Sequence, residues 1–222
     1  MLDKLLSTIA PHHCFECGEI GTVLCAKCKN YITSRTYAFC VVCHSPSGSV
    51  NMCKNHRKLY KKAWCVSERT DTIERLINAY KFDRSYAIFR VLAELLDERL
   101  PDLPENTQIV PIPTAPRNIR VRGYDHMLLV ARELAKRRKI QTTSLLERKS
   151  NQTQHFAPNR EARHRQAKSF FKISNRYEID PEARYLLIDD IFTSGATVDA
   201  AAGCLRDAGA KYIDIAIIAR QR

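Results

Sequence analysis

Two sets of residues in this chain have the types and spacing to do chemistry. The first is Asp189-Asp190, followed three residues on by Thr193-Ser194-Gly195-Ala196-Thr197. Adjacent carboxylates at the tip of a strand accept hydrogen bonds from vicinal hydroxyls. A bend with a glycine and several hydroxyls, opening a helix, presents N–H and O–H donors to a phosphate. A diol grip beside a phosphate cradle matches a sugar phosphate, most simply a ribose 5-phosphate. The plainer alternative is a buried strand whose acid pair only turns the chain and caps a helix. The pattern G-x-x-x-x-G-K-[ST] is absent from the sequence, so this bend is not a P-loop.

The second set is cysteine-rich. Eight of the nine cysteines precede Val66. They include the pairs Cys14/Cys17, Cys25/Cys28 and Cys40/Cys43, and a fourth pair runs Cys53-x-x-His56. Two intervening residues let both ligand atoms reach one ion across a tight knuckle, the spacing zinc sites use. Four such pairs make two complete four-ligand sets, hence two structural zinc ions with no open position. Consecutive pairing is preferred: Cys14, Cys17, Cys25 and Cys28 for one ion, Cys40, Cys43, Cys53 and His56 for the other. Interleaved pairing, first knuckle with third, is the alternative. Cys65 and Cys204 stand alone in apolar contexts and read as buried thiols.

Elements must hold these residues in place. Tyr185 to Ile188 is an unbroken apolar run, as in a strand covered on both faces. An Ala-rich helix over 198–208 stops at Gly209, and a second apolar strand covers 212–219. Strand, loop, helix, strand is a parallel unit, and ligands of open α/β sheets bind at the carboxyl ends of such strands. Upstream, the pattern predicts a short strand over 64–67, helices over 71–80 and 84–100, a strand over 107–112 and a helix over 124–136. Pro113 to Arg122 reads as a cationic loop, since its prolines and Gly123 argue against a regular helix. If the strands are parallel, Pro113, Thr114, Arg117, Arg120 and Arg122 share the sheet end with the acid pair, and arginine forks suit phosphate oxygens. Ser150 to Lys168, with Gln154, His155, Arg160, Arg163 and Arg165, reads as a flap, a nucleic-acid contact or a solvated loop. Asn55 to Lys62 reads as a basic solvated linker. A composition change near Tyr60 divides the chain into a zinc-ribbon-like module, 1–60, and an α/β domain, 61–222.

The 222 residues carry a net charge of +12, which favours anionic partners. No apolar run reaches the ~18 residues of a membrane span. The apolar stretch near the N-terminus is too short for a secretory signal, so the expected compartment is the cytoplasm, where thiols stay reduced.

LLIDDIFTSGAT resembles the phosphoribosyl-pyrophosphate signature of type I phosphoribosyltransferases. The wider chain is similar to the ComF family of competence-associated proteins (ComFC/GntX type). The likeness lies in the cysteine knuckles, A-Y-K-F with Lys81, the V-P-I-P strand end, R-G-Y-D-H and Q-T-Q-H-F. Asp125 and His126 replace the family's Asn and Gln, His56 replaces a Cys, and Phe192 is bulkier than the usual aliphatic.

The resemblance implies an α/β type I phosphoribosyltransferase fold, a twisted parallel sheet flanked by helices, with a small N-terminal zinc module. It assigns Asp189 and Asp190 to the ribose hydroxyls and the Thr193 to Thr197 loop to the 5-phosphate. The Pro113 to Arg122 loop and Lys81 would face pyrophosphate. Magnesium would ride on the substrate's oxygens. The implied partners are phosphoribosyl pyrophosphate, single-stranded DNA and, by family analogy, a competence helicase. Transfer to an acceptor, DNA binding through the zinc module and flap, and non-catalytic sensing all stay open from sequence.

Overall fold

The computed structural model describes residues 12–83, 85–149 and 170–221. Its centre is a five-stranded sheet in which every pairing is parallel, in the order β1-β7-β6-β2-β3. The strands are β1 (Ala63–Glu68), β2 (Thr107–Pro111), β3 (Gln141–Thr142), β6 (Arg184–Phe192) and β7 (Tyr212–Arg220). Tyr185 to Ile188 are all buried, as a run without polar breaks requires in a sheet covered on both faces.

Strand alternation divides the core in two. Trp64, Ile109, Leu186 and Ile188 face helices α2 (Asp71–Phe82), α3 (Ile88–Arg99) and α5 (His126–Arg138). Cys65, Val110, Tyr185 and Leu187 face helix α6 (Ala196–Asp207). From β2 the chain crosses through α5 to β3, and from β6 it crosses the other way through α6 to β7. The strand order therefore reverses between β2 and β6, and a crevice opens at their carboxyl ends.

The Pro113 to Arg122 expectation needs correcting. Residues Pro116–Arg122 form a helix, α4. Pro116 stands in its first turn, where a missing N–H costs nothing, and Gly123 ends it in the left-handed conformation with φ 87°. The same residues that seemed to forbid a helix bound one. A short antiparallel pair, β4 (Leu146–Arg148) and β5 (Phe171–Ile173), was not foreseen. The Ser150 to Lys168 segment, with Gln154, His155, Arg160, Arg163 and Arg165, read as a flap, a nucleic-acid contact or a solvated loop, lies entirely outside the described residues.

The cysteine-bearing segment is built onto both faces of the sheet. Val23, Leu24, Cys25 and Cys28 join the core beneath α2 and α3, next to helix α1 (Ala26–Ser34). Tyr37 and Val41 join the core on the opposite face. Asn51 is fully buried between the two chain segments. Its amide donates to Tyr37 O at 2.6 Å, and its oxygen accepts from Cys65 N at 2.7 Å. Arg99 donates to that same oxygen at 3.0 Å and to Cys65 O at 2.8 Å. Arg220 reaches from β7 to Val41 O at 2.5 Å. The Asn55 to Lys62 stretch is not simply solvated: Lys58 pairs with Asp199 at 2.5 Å, Tyr60 is buried, and Lys62 N donates to Asp214. Basic composition hid a segment that lies along α6 and β7.

Candidate functional site

Both acids lie within β6, not beyond it. They line a cleft of about 250 Å³ with Lys81, Thr114, Arg122 and Thr197. Lys81 arrives on the last turn of α2, Thr114 just past β2, Arg122 at the end of α4 and Thr197 in the first turn of α6. Pro113 lines the cleft as well. Arg117 and Arg120 do not: α4 turns them to solvent. Thr193, Ser194 and Ala196 are exposed on the bend at the rim. Gly195 is buried with φ 80°, and a Cβ there would fall 2.5 Å from Phe192 Cζ. The large Phe192 thus fills the floor under the bend, and only glycine fits above it.

The two acids differ. Asp190 is buried, and its Oδ2 accepts from Lys81 Nζ and from His126 Nε2, each at 2.5 Å. Burial alone would raise its carboxyl. The His126 hydrogen bond and the Lys81 charge outweigh burial and hold it well below the carboxylate range. Asp189 is partly exposed to the cleft. Burial first, and then the neighbouring Asp190 charge, push its carboxyl up, and no cation approaches closely enough to reverse this.

Sequence reasoning did not place His126, Arg148 or Asn118 in the cleft, where all three belong. Asp125 caps α5, accepting from Met127 N and Leu128 N, and also accepts from the Thr114 hydroxyl at 2.8 Å. That cap turns His126 inward, its Nδ1 2.7 Å from Thr114 Oγ1 and 3.1 Å from Arg122 Nη1. The R-G-Y-D-H motif carried a signal for this. Arg148 carried none: it sits on three-residue β4 and donates to Pro113 O at 2.8 Å.

The eight proposed metal ligands gather as two groups, Cys14/Cys17/Cys25/Cys28 and Cys40/Cys43/Cys53/His56. Within each, the ligand atoms lie within 4.8 Å of one another. This is the consecutive arrangement. Cys17 and Cys25 sulfurs are 3.7 Å apart, as are those of Cys43 and Cys53. A disulfide needs about 2.05 Å. Tetrahedral sulfur at ~2.3 Å from zinc puts sulfurs about 3.8 Å apart. Nε2 of His56 is buried without a hydrogen-bond partner, as fits a nitrogen kept for a metal. Burial opposes ionisation of Cys14, but N–H groups of Cys17, Cys25 and Glu16 bring its thiol down to about 6. Cys65 is fully buried and its thiol is pushed up to about 12, as an inert thiol should be.

No helix among the described residues is long and apolar enough to cross a membrane. No family model matches the chain. It is 29% identical over 160 residues to Competence protein ComFC of Streptococcus pneumoniae, covering 68% of this chain and 69% of that protein. It is 24% identical over 208 residues to Competence protein F of Haemophilus influenzae, covering 89% of this chain and 90% of that protein. The parallel sheet, its flanking helices and the two cysteine groups are consistent with a type I phosphoribosyltransferase-like fold carrying an N-terminal zinc ribbon, and over most of its length the chain is a homologue of these competence proteins.

Proposed function

We propose that the cleft binds phosphoribosyl pyrophosphate, or another ribose 5-phosphate, as its magnesium complex, and that the protein is a phosphoribosyltransferase serving DNA uptake in competence. The observation that carries this reading is convergence. One crevice at the switch point combines a half-open carboxylate (Asp189), a glycine-turned helix start with Thr197, and two cations (Lys81 and Arg122). The names of the two homologues supply the competence context.

In this reading Asp189 accepts from a ribose hydroxyl, and the Thr193 to Thr197 bend holds the 5-phosphate. Asp190, tied to Lys81 and His126, holds the ammonium and the imidazole in place. Lys81 and Arg122, with Arg148 opposite, face the pyrophosphate. Magnesium, arriving with the substrate, would supply charge neutralisation on the substrate's own oxygens. Cleavage at C1 passes through an oxocarbenium-like state, so the protein contributes positioning and stabilisation of the departing charge. The two cysteine groups hold structural zinc in a module spanning 1–60, beside a catalytic domain spanning 61–222. Thiolate ligands of this kind suit the cytoplasm.

Calorimetric titration with phosphoribosyl pyrophosphate and magnesium tests the site. Binding is expected in the wild type and lost in Asp189→Ala/Asp190→Ala. Unchanged affinity in the double variant would remove the assignment. Metal analysis of untreated protein should return two zinc ions per chain.

A further inference from the structure

The cleft holds a buried histidine whose two ring nitrogens face different kinds of neighbour. His126 exposes 9% of its side chain, and its Nε2 lies 2.5 Å from Asp190 Oδ2. Asp190, kept ionised by Lys81, can only accept, so a proton is fixed on Nε2. Nδ1 is contested. It lies 2.7 Å from Thr114 Oγ1 and 3.1 Å from Arg122 Nη1. A guanidinium only donates, so Arg122 needs a lone pair on Nδ1. The Thr114 hydroxyl has one proton, and it donates to Asp125 Oδ1 at 2.8 Å. Its oxygen then offers Nδ1 only lone pairs, and that contact needs a proton on the ring. Nδ1 cannot serve both neighbours in one protonation state.

We propose that His126 is a positioning residue whose second proton releases Arg122 to an anionic ligand, so that binding in the cleft takes up a proton. The inference rests on the sugar-phosphate reading of the cleft. In the neutral ring, Nδ1 accepts from Arg122 and holds the guanidinium back. When a proton from solvent adds to Nδ1, that lone pair is lost. Nδ1–H then donates to Thr114 Oγ1, while the hydroxyl donates on to Asp125. The imidazolium stands between two carboxylates, Asp190 directly and Asp125 through the hydroxyl, and it repels Arg122. Arg122 Nε still donates to Lys81 O at 2.8 Å, so the guanidinium pivots there and turns Nη1 into the cleft. The remaining groups around the ring are Lys81 on α2, Asp189 on β6 and Arg148 on β4; Tyr80, on α2, meets it edge-on at 6.1 Å. Lys81 and Arg148 oppose the added charge, and the carboxylates and the ligand's phosphates favour it. The liganded protein therefore holds more protons than the free protein, and affinity rises as pH falls, by up to about tenfold per pH unit for one proton.

Calorimetry of phosphoribosyl pyrophosphate with magnesium on the full chain, in buffers of different ionisation enthalpy between about pH 6 and 8, counts the protons taken up. Wild type should take up more than His126→Gln, whose amide can still donate to Asp190 and accept from Arg122 but cannot gain charge. The affinity ratio of wild type to variant should rise about tenfold across that range. The ligand's own protonation is common to both proteins and cancels. Thr114→Val, which removes the hydroxyl between ring and Asp125, should also reduce the uptake with His126 in place. Nitrogen-15 NMR of wild type needs no variant to fold: the Nδ1 resonance should change to its protonated form at higher pH with ligand bound than without. Equal proton uptake in wild type and His126→Gln, or an Nδ1 resonance that titrates alike with and without ligand, overturns the proposal and leaves the cleft reading standing. Absence of binding at every pH overturns both.

Discussion

The cysteine segment and the cleft use ionisable residues in opposite ways. In the segment, four ligands close around each of two points, and the polar groups beside them are matched internally by Asn51, Arg99 and Arg220. In the cleft, two carboxylates stand side by side, one doubly paired and one half-open with its charge disfavoured. The first arrangement lowers the energy of the folded chain; in the proposed reading of the cleft, the second holds some of it back for a ligand. Structural and functional polarity can thus be told apart by asking which group has its charge compensated from within.

The contrast can be broken most forcefully by removing metal. Structural zinc is worth on the order of 10 kcal/mol in small modules. Chelation should therefore unfold residues 12–60, read as lost amide protection, while β6 and β7 keep theirs; equal melting of both regions would erase the distinction. Next in size is Asp190→Asn. It leaves Lys81, with 16% of its side-chain surface in water, without a counter-charge, and should cost about 3 kcal/mol in denaturant titration. Gly195→Ala should cost about 2 kcal/mol from its left-handed φ and the Phe192 collision, and the added Phe192→Leu should recover only the collision.

Asp189→Asn should go the other way. Folding raises the Asp189 carboxyl, so the folded state binds this proton more tightly than the unfolded chain. The wild type therefore loses stability as pH climbs above the ordinary carboxylate range near 4. The variant has no such loss and should gain on wild type in thermal melts as pH rises. A constant difference across pH would mean that Asp189 is not held against its ionisation. The smallest effect belongs to the segment: Lys29→Ala removes its contacts to Glu94 and Glu98, at 2.7 and 3.3 Å, and should cost under about 1 kcal/mol.

Local patterns made much of this readable in advance. The C-x-x-C spacing announced both ligand groups because each knuckle is complete within four residues. The run Tyr185 to Ile188, the acids after it and Gly209 announced β6, α6 and β7, since burial on both faces leaves an unbroken apolar signal. Failures came where the information is not local. Pro116 and Gly123 are helix breakers in the interior and helix bounds at the ends, and only the fold says which. Arg148 enters the cleft by way of a three-residue strand too short to show a period. Asp190's compensation needs Lys81 and His126, which come from α2 and α5. Neither residue type reveals, from its place in the chain, which carboxylate it will meet.

Helix α2 has an end in each region. At its start, Thr72 donates to Glu16 within the first knuckle, and Arg75 approaches the same carboxylate. At its finish stands Lys81, on Asp190. Twelve residues of helix make a strut about 18 Å long that bends little. A displacement at one tip is therefore felt at the other, and the knuckle braces the ammonium that compensates Asp190.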